Sequence, residues 1–247
     1  MMRAAGPVLM LVAALMAAPV AARADDEAWQ YSTIAALAAG SYQGALTVGE
    51  LRTHGDLGLG TFNGLDGEMI LLDGTVWQVR PDGRPAVAAD GVGVPFATAI
   101  RFAARRTLEV PAGLDMAALT ALLDGTVEDP SLIQAVRIDG RFGRLTLRSV
   151  PAQIPPYRPL ADIIPGEQVV FDLTDAEGTL VGFRYPPNLA GANVAGWHMH
   201  YVAADRRSGG HVLGLTTTAV RAALDPVARL SIQLLPGARL GTGAAAK

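Results

Sequence analysis

The 247-residue chain contains no cysteine. Disulfide bonds are therefore excluded, and exposure to an oxidising compartment would leave no thiol to protect. The length is sufficient for one large domain or two small ones to bury a hydrophobic core without such cross-links. The absence of cysteine is thus compatible with an exported protein.

The chain also has no excess of positive charge. Its 20 Lys and Arg residues are outnumbered by 23 Asp and Glu residues, for a net charge of -3. A nucleic-acid-binding surface needs clustered basic residues to neutralise phosphates. The composition excludes a nucleic-acid partner of this kind and favours a small-molecule ligand.

Only the N-terminus carries a long apolar run. Arg3 precedes an apolar stretch from Pro7 to Ala22, and the small-x-small triplet Ala22-Arg23-Ala24 follows. This pattern predicts a signal peptide over residues 1–24 and a periplasmic or secreted protein with no stable membrane anchor after cleavage. An N-terminal membrane anchor is the alternative, but the run is shorter than the roughly 20 residues that a spanning helix needs.

Hydrophobic spacing and turn residues outline the elements up to residue 150. Thr47 is a possible N-cap for a short helix, and the pair Asp73-Gly74 predicts a hairpin between strands starting at Glu68 and Thr75. Residues 95–106 have helical spacing. A further helix is predicted from Asp115, its N-cap, to Leu123, with Gly125 as its stop signal. A hairpin is predicted over residues 135–150.

A proline-rich stretch then divides the sequence. The segment from Val150 to Leu160 holds four prolines and is expected to be extended and stiff. We place a subdomain boundary here, with an N-terminal β-sheet subdomain with helices over residues 25–150 and a C-terminal metal-binding subdomain over residues 151–247. Two more hairpins are predicted beyond it, over residues 168–184 and from Trp197 into the strand that contains His211.

Three of the four histidines fall within fourteen residues, in the segment GWHMHYVAADRRSGGHV. On a strand, His198 and His200 point to the same face. A turn centred between Asp205 and Arg206 places His211 directly opposite His200, with the Cβ atoms about 5 Å apart. Three imidazoles with a fourth position left open are typical of a catalytic zinc site.

Other interpretations of the cluster remain open. The histidines could lie on an exposed strand by coincidence, or the site could belong to a non-catalytic exported metal-binding protein. A cupin-like metal oxygenase also uses a His-x-His pattern, but it needs a Glu four or five residues later, where this chain has Ala204 and Asp205. Imidazole also suits copper, iron and nickel, so the three histidines do not by themselves select zinc.

Four ordered blocks together resemble the alpha-acetolactate decarboxylase family, over roughly Tyr31 to Leu235. They are HGDLGLGTFNGLDGEMILLDG, VRIDGRFGRLTLRSVPAQIPPYRPL, GTLVGFRYPP and GWHMHYVAADRRSGGHV. The resemblance implies that His198, His200 and His211 bind zinc. It also implies that Glu68, Arg148 and Thr61 are catalytic residues.

The resemblance further implies an activity and a fold. The activity is decarboxylation of 2-acetolactate to acetoin and carbon dioxide through a metal-stabilised enediolate, with Arg148 orienting the carboxylate and Glu68 supplying a proton. The fold is α/β (α+β), with two mixed β-sheet subdomains and a three-histidine metal site on a β-hairpin of the second. A homodimer is expected on the same ground.

One part of the chain departs from the family pattern. Members commonly carry an active-site Glu on the C-terminal tail, whereas no acidic residue follows Asp225 here. Either that role is dispensable, or Glu68 covers it, or activity is reduced. The fourth histidine, His54, is expected to support the glycine-rich loop of the first block.

Overall fold

The computed structural model describes residues 26–239. The predicted signal peptide over residues 1–24 lies outside this range, as does the end of the C-terminal tail. None of the helices in residues 26–239 has the length and apolar character that a membrane span requires. The fold is a sheet-dominated α+β arrangement.

The strands of this range are, in chain order, β1 (Glu27–Tyr31), β2 (Leu46–Thr47), β3 (Leu57–Thr61), β4 (Glu68–Leu72), β5 (Thr75–Val79), β6 (Pro85–Val87), β7 (Gly93–Val94), β8 (Phe96–Ile100), β9 (Arg106–Val110), β10 (Ile133–Ser149), β11 (Val169–Tyr185), β12 (Gly196–Ala203), β13 (Gly209–Val227) and β14 (Arg229–Gln233). The α-helices are α1 (Ile34–Ala38), α2 (Val48–His54), α3 (Met116–Asp124) and α4 (Leu160–Glu167). Single 3-10 turns cover Asn63–Leu65 and Pro187–Leu189.

The first sheet has seven strands in the order β14-β1-β8-β3-β4-β5-β6. It is mixed, because β14 runs parallel to β1 while the other neighbours are antiparallel. The inner strand β8 corrects the prediction of a helix over residues 95–106. Every residue of β8 is buried, and the strand is paired with β1 on one side and β3 on the other, so this pairing overrides the helical spacing.

The second sheet has five strands in the order β10-β11-β12-β13-β9. All its neighbouring strands are antiparallel, so the prediction that this sheet is mixed is wrong. Because β10 also pairs with β13, four of its strands form a closed ring. The hairpins predicted over residues 135–150 and 168–184 are wrong, since each region is one continuous strand. In β10, Gly140 adopts φ +141 beside a register shift, so the strand bends where a reversal was predicted.

Local signals succeeded where the turn chemistry was complete. Asp73 and Gly74 have φ +51 and +73, as a type I′ turn between β4 and β5 requires. Helix α3 begins after its N-cap Asp115 and ends before Gly125, as predicted. Thr47 caps α2 and forms a reciprocal capping box with Glu50.

The two large sheets share a hydrophobic core. Leu59 and Ile70 of the first sheet belong to the same buried cluster as Val181, Phe183 and Val202 of the second. Sheet membership does not change at one chain position, because β9 and β10 precede residue 150 and β14 returns to the first sheet. The division into an N-terminal subdomain over residues 25–150 and a C-terminal subdomain over residues 151–247 stays a prediction.

Candidate active site

The three clustered histidines lie on two paired strands of the second sheet. His198 and His200 belong to β12 and are two positions apart, so they lie on the same face. His211 on β13 is the antiparallel partner of His200, which confirms the predicted pairing. The short turn from Ala204 to Ser208 joins these two strands, so the pairing of the histidines is local in the chain.

The ring nitrogens of these histidines converge on one point. His198 Nε2 lies 3.1 Å from both His200 Nε2 and His211 Nδ1, and the latter two are 3.2 Å apart. Nitrogens held tetrahedrally at about 2.0–2.1 Å from one zinc ion are roughly 3.3 Å apart. The triangle therefore has the size of one face of a metal coordination shell.

Hydrogen bonding among the rings does not account for this convergence. A neutral imidazole has one N–H and one lone pair. His200 Nδ1 donates to the Met69 carbonyl oxygen at 2.8 Å, which leaves its Nε2 lone pair facing the other two rings. One N–H from either remaining ring would still leave two lone pairs opposed, whereas a bound cation satisfies all three.

The electrostatic surroundings keep these rings neutral. Burial, aided by the positive charge of Arg148, lowers the pKa of His198 to about 4. Burial also holds the pKa of His200 well below its usual range, and the neighbouring His198 ring lowers it further. The pKa of His211 is held well below its usual range by burial in the same way, with Arg148 as the second cause. Neutral imidazole is the form that binds a metal ion.

Strand register brings Arg148 to the same place. On β10 it lies opposite His211, which in turn lies opposite His200, so three neighbouring strands form one row of side chains. Arg148 Nη1 lies 3.1 Å from Oε1 of Glu68, which belongs to β4 of the first sheet. The pair therefore links the two sheets at the histidine cluster.

Glu68 is buried beside both the guanidinium and the rings. Its side chain is 9% exposed, and its Oε2 lies 3.5 Å from His200 Nε2. Burial raises the pKa of Glu68, and the positive charge of Arg148 opposes that rise. The carboxyl group thus stays protonated to a higher pH than an exposed glutamate does.

Thr61 shapes the turn that leads into Glu68. It is the β3 partner of Glu68, and its hydroxyl donates to the Gly67 carbonyl oxygen at 2.7 Å. Gly67 has φ +83, and a Cβ there would lie 2.2 Å from the Val79 carbonyl oxygen, so only glycine fits. Thr61 also lines the cavity described next.

These groups form the polar side of a cavity of about 270 Å³. The rest of the wall is apolar and comes from both sheets and from α1 and α4. The apolar residues that line it are Ile34, Leu37, Leu65, Phe96, Val150, Leu160, Val194, Trp197, Met199 and Val212. The volume lies just below the roughly 300–1,000 Å³ of drug-sized ligand sites, so the cavity suits a small molecule with polar atoms at one end.

The family model for alpha-acetolactate decarboxylase matches residues 28–239. The chain belongs to the alpha-acetolactate decarboxylase family. It is 43% identical to the alpha-acetolactate decarboxylase of Methanosarcina mazei over 202 residues, which cover 82% of this chain and 70% of that protein. Identity to the Klebsiella aerogenes protein of that name is 41%, covering 76% and 72%.

The crystal structure of alpha-acetolactate decarboxylase from Bacillus subtilis strain 168 has a similar fold. Its TM-score is 0.85 at 30% sequence identity, covering 88% of this chain and 94% of that one. The expectation of a carboxy-lyase of the acetolactate decarboxylase family is therefore confirmed.

The six site residues expected from the acetolactate decarboxylase resemblance all line one cavity, whereas His54 does not. It stacks on Trp29, with ring centroids 3.6 Å apart. Sequence reasoning missed Trp197, whose indole N–H donates to Asp124 Oδ1 at 3.0 Å. Its position next to His198 was the available signal. The Met69 carbonyl was also missed, and a backbone acceptor leaves no trace in the sequence.

Proposed function

We propose that this chain decarboxylates 2-acetolactate to acetoin and carbon dioxide, and that the reaction depends on one divalent metal ion. The observation that carries the proposal is the convergence of three ring nitrogens beside the Glu68–Arg148 pair at the polar end of a small cavity. The names of the relatives support the substrate. The curated relatives cited above carry the name alpha-acetolactate decarboxylase.

The proposed ligands are His198, His200 and His211, and the proposed metal is zinc. Three neutral imidazoles fit a zinc site that keeps a position for substrate. When bound, the ion supplies Lewis-acid stabilisation of the negative charge that develops on the substrate oxygens. The three converging lone pairs support the binding of a divalent cation at this point, and they do so equally for zinc and for other divalent metals.

The reaction breaks one carbon–carbon bond and forms one carbon–hydrogen bond. The bond between C2 and the carboxylate breaks, and its electron pair moves toward the neighbouring keto group as carbon dioxide leaves. A proton then adds to C2 to give acetoin. The protein must therefore hold the carboxylate, accommodate the charge that appears on oxygen, and deliver one proton.

Two side chains are suited to these tasks. Arg148 is a permanent planar cation that can orient the carboxylate by paired N–H donors. Glu68 is a carboxyl group facing the cavity within reach of the same guanidinium, and it is the proposed donor of the proton to C2. Thr61 acts through Glu68, because its hydroxyl holds the turn that precedes that residue.

The test is acetoin release from racemic 2-acetolactate by the purified chain, before and after chelation and after return of zinc. Chelation should abolish acetoin release and zinc should restore it. His200→Ala should lose bound metal and at least about 1,000-fold in kcat, since a metal ligand and its Lewis acid are lost together. His54→Ala is the matched control and should keep both. Stoichiometric metal without acetoin release would contradict the proposal.

The cellular setting is proposed on sequence grounds alone. The N-terminal signal pattern supports a periplasmic or secreted enzyme cleaved after Ala24, which N-terminal sequencing of the exported protein tests. A homodimer is proposed from the family resemblance only, and light scattering of the purified chain tests it.

A further inference from the structure

The mouth of the cavity carries one apolar side chain that differs from the others. Val194 is 36% exposed, whereas the other apolar residues that line the cavity are buried or half-buried. It lies in the short loop between the Pro187–Leu189 turn and β12. Its size can therefore change without disturbing a hydrophobic core.

The loop of Val194 is fixed by buried polar groups. The Val194 N–H donates to Asn193 Oδ1 at 2.7 Å. The Asn193 amide nitrogen donates to Gln30 Oε1 at 2.8 Å and to Thr98 Oγ1 at 3.0 Å. All three partners in this network are at most 2% exposed, so displacement of the loop would leave polar groups without partners away from water.

The same glutamine also holds the start of α1 beside this loop. Gln30 Nε2 donates to the carbonyl oxygens of Ser32 and Ala192, both at 2.8 Å. Ser32 precedes α1, and the Ala192 carbonyl also accepts the Ile34 N–H at 3.0 Å. Ile34 lines the cavity, so α1 and the Val194 loop form one rigid rim.

We propose that Val194 limits the size of the alkyl substituents that the substrate can carry, and that Asn193 and Gln30 are positioning residues that hold it in place. The inference rests on the proposed function. With the oxygens of the substrate at the polar end of a cavity of about 270 Å³, its alkyl groups must face the apolar wall and the rim. A rim held by a buried hydrogen-bond network cannot widen to admit a larger group.

The experiment compares two substrates in the metal-loaded enzyme. They are 2-acetolactate and its homologue with an ethyl group in place of the methyl group at C2. Val194→Ala should shift the kcat/KM ratio toward the ethyl substrate by about 5- to 10-fold, and Val194→Phe should shift it the other way by about 10-fold or more. The shift should appear mainly in KM, because Val194 faces the alkyl groups of the substrate and touches no reacting atom.

Two further variants separate the roles. Val87→Ala removes the same atoms from an exposed valine on β6 outside the cavity, and it should leave the ratio unchanged. Asn193→Ala should shift the ratio in the same direction as Val194→Ala and raise KM more than it lowers kcat, whereas a purely structural role would lower the melting temperature and leave the ratio alone.

An unchanged ratio in both Val194 variants, with a parent enzyme that turns over 2-acetolactate, would overturn this inference and leave the proposed function intact. Failure of the metal-loaded parent to turn over either substrate would overturn both.

Discussion

Two buried clusters of arginine and carboxylate groups join the sheets of this protein. In one, Arg148 of the second sheet contacts Glu68 of the first. In the other, Arg105 contacts Asp26, which precedes β1, and Asp225 on β13. Burial raises the pKa of Glu68, and it raises the pKa of Asp225 to about 6. Both clusters therefore contain a buried carboxyl group with a raised pKa.

The clusters differ in what surrounds the carboxylates. Asp225 accepts a backbone N–H from Ala103 as well as contacting Arg105, which is the pattern of a structural link. The cavity beside Arg105 is the larger one, at about 350 Å³ against 270 Å³. Only the Glu68 cluster faces three convergent histidines, and no other group of this kind occurs in residues 26–239. Converging lone pairs thus identify the candidate site, whereas a raised carboxyl pKa or cavity size alone does not.

The sharpest test of this contrast removes the acidic function from each cluster. Glu68→Gln should lower kcat for acetoin formation by about 100- to 1,000-fold, because a positioned proton donor is lost. Asp225→Asn should leave kcat unchanged. Steady-state kinetics at saturating metal, with circular dichroism to verify folding, measures both. Equal losses of activity in the two variants would abolish the distinction.

Removal of the Arg105 guanidinium should lower stability and leave activity unchanged. Arg105→Gln should lower the free energy of unfolding by about 2–3 kcal/mol, because the guanidinium that contacts two buried carboxylates is lost. Its kcat should not change at temperatures where it is folded. Urea denaturation measures the effect, and Arg52→Gln is the control. Arg52 forms an exposed pair with Asp90, so its loss should change stability by no more than about 0.5 kcal/mol. An Arg105 variant with normal stability and low kcat would show that this cluster serves catalysis.

The smallest expected effect is a pH dependence of stability. Because the pKa of Asp225 is higher in the folded chain than its ordinary value of 3.8, the folded state holds this proton more tightly. The stabilisation is present below about pH 4 and is lost as pH rises to about 6. Asp225→Asn removes this loss, so its unfolding free energy should gain on that of the parent as pH rises across that window. Parallel stability curves for the two proteins from pH 4 to 7 would contradict the assignment.

The sequence predicted the features that depend on neighbours along the chain. The Asp73-Gly74 turn, the caps of α3 and the pairing of His200 with His211 each follow from spacing within about a dozen residues. The wrong predictions of secondary structure concern segments whose conformation depends on pairing with strands that are distant in the sequence. β8 has helical spacing but is held between β1 and β3, and β10 and β11 continue through predicted turns because each is paired along its whole length.

The candidate site divides in the same way. The three histidines could be brought together from the sequence alone, because one turn does so. Glu68 and Arg148 lie 80 residues apart and meet only when the two sheets pack, so spacing gave no reason to join them. These two residues were predicted as site residues only from the family resemblance. Trp197 and the Met69 carbonyl were not predicted as parts of the site.

The return of β14 to the first sheet has a consequence for the order in which the chain can assemble. Glu27 pairs with Arg229 and Tyr31 with Gln233, so the first strand of the described range pairs with the last one. Closing so long a loop is entropically costly and favours slow folding. Because β14 follows β13 in the chain, its residues are synthesised after all the strands of the closed ring. During synthesis the outer edge of β1 stays unpaired, and so available for non-native strand pairing, until β14 has been made.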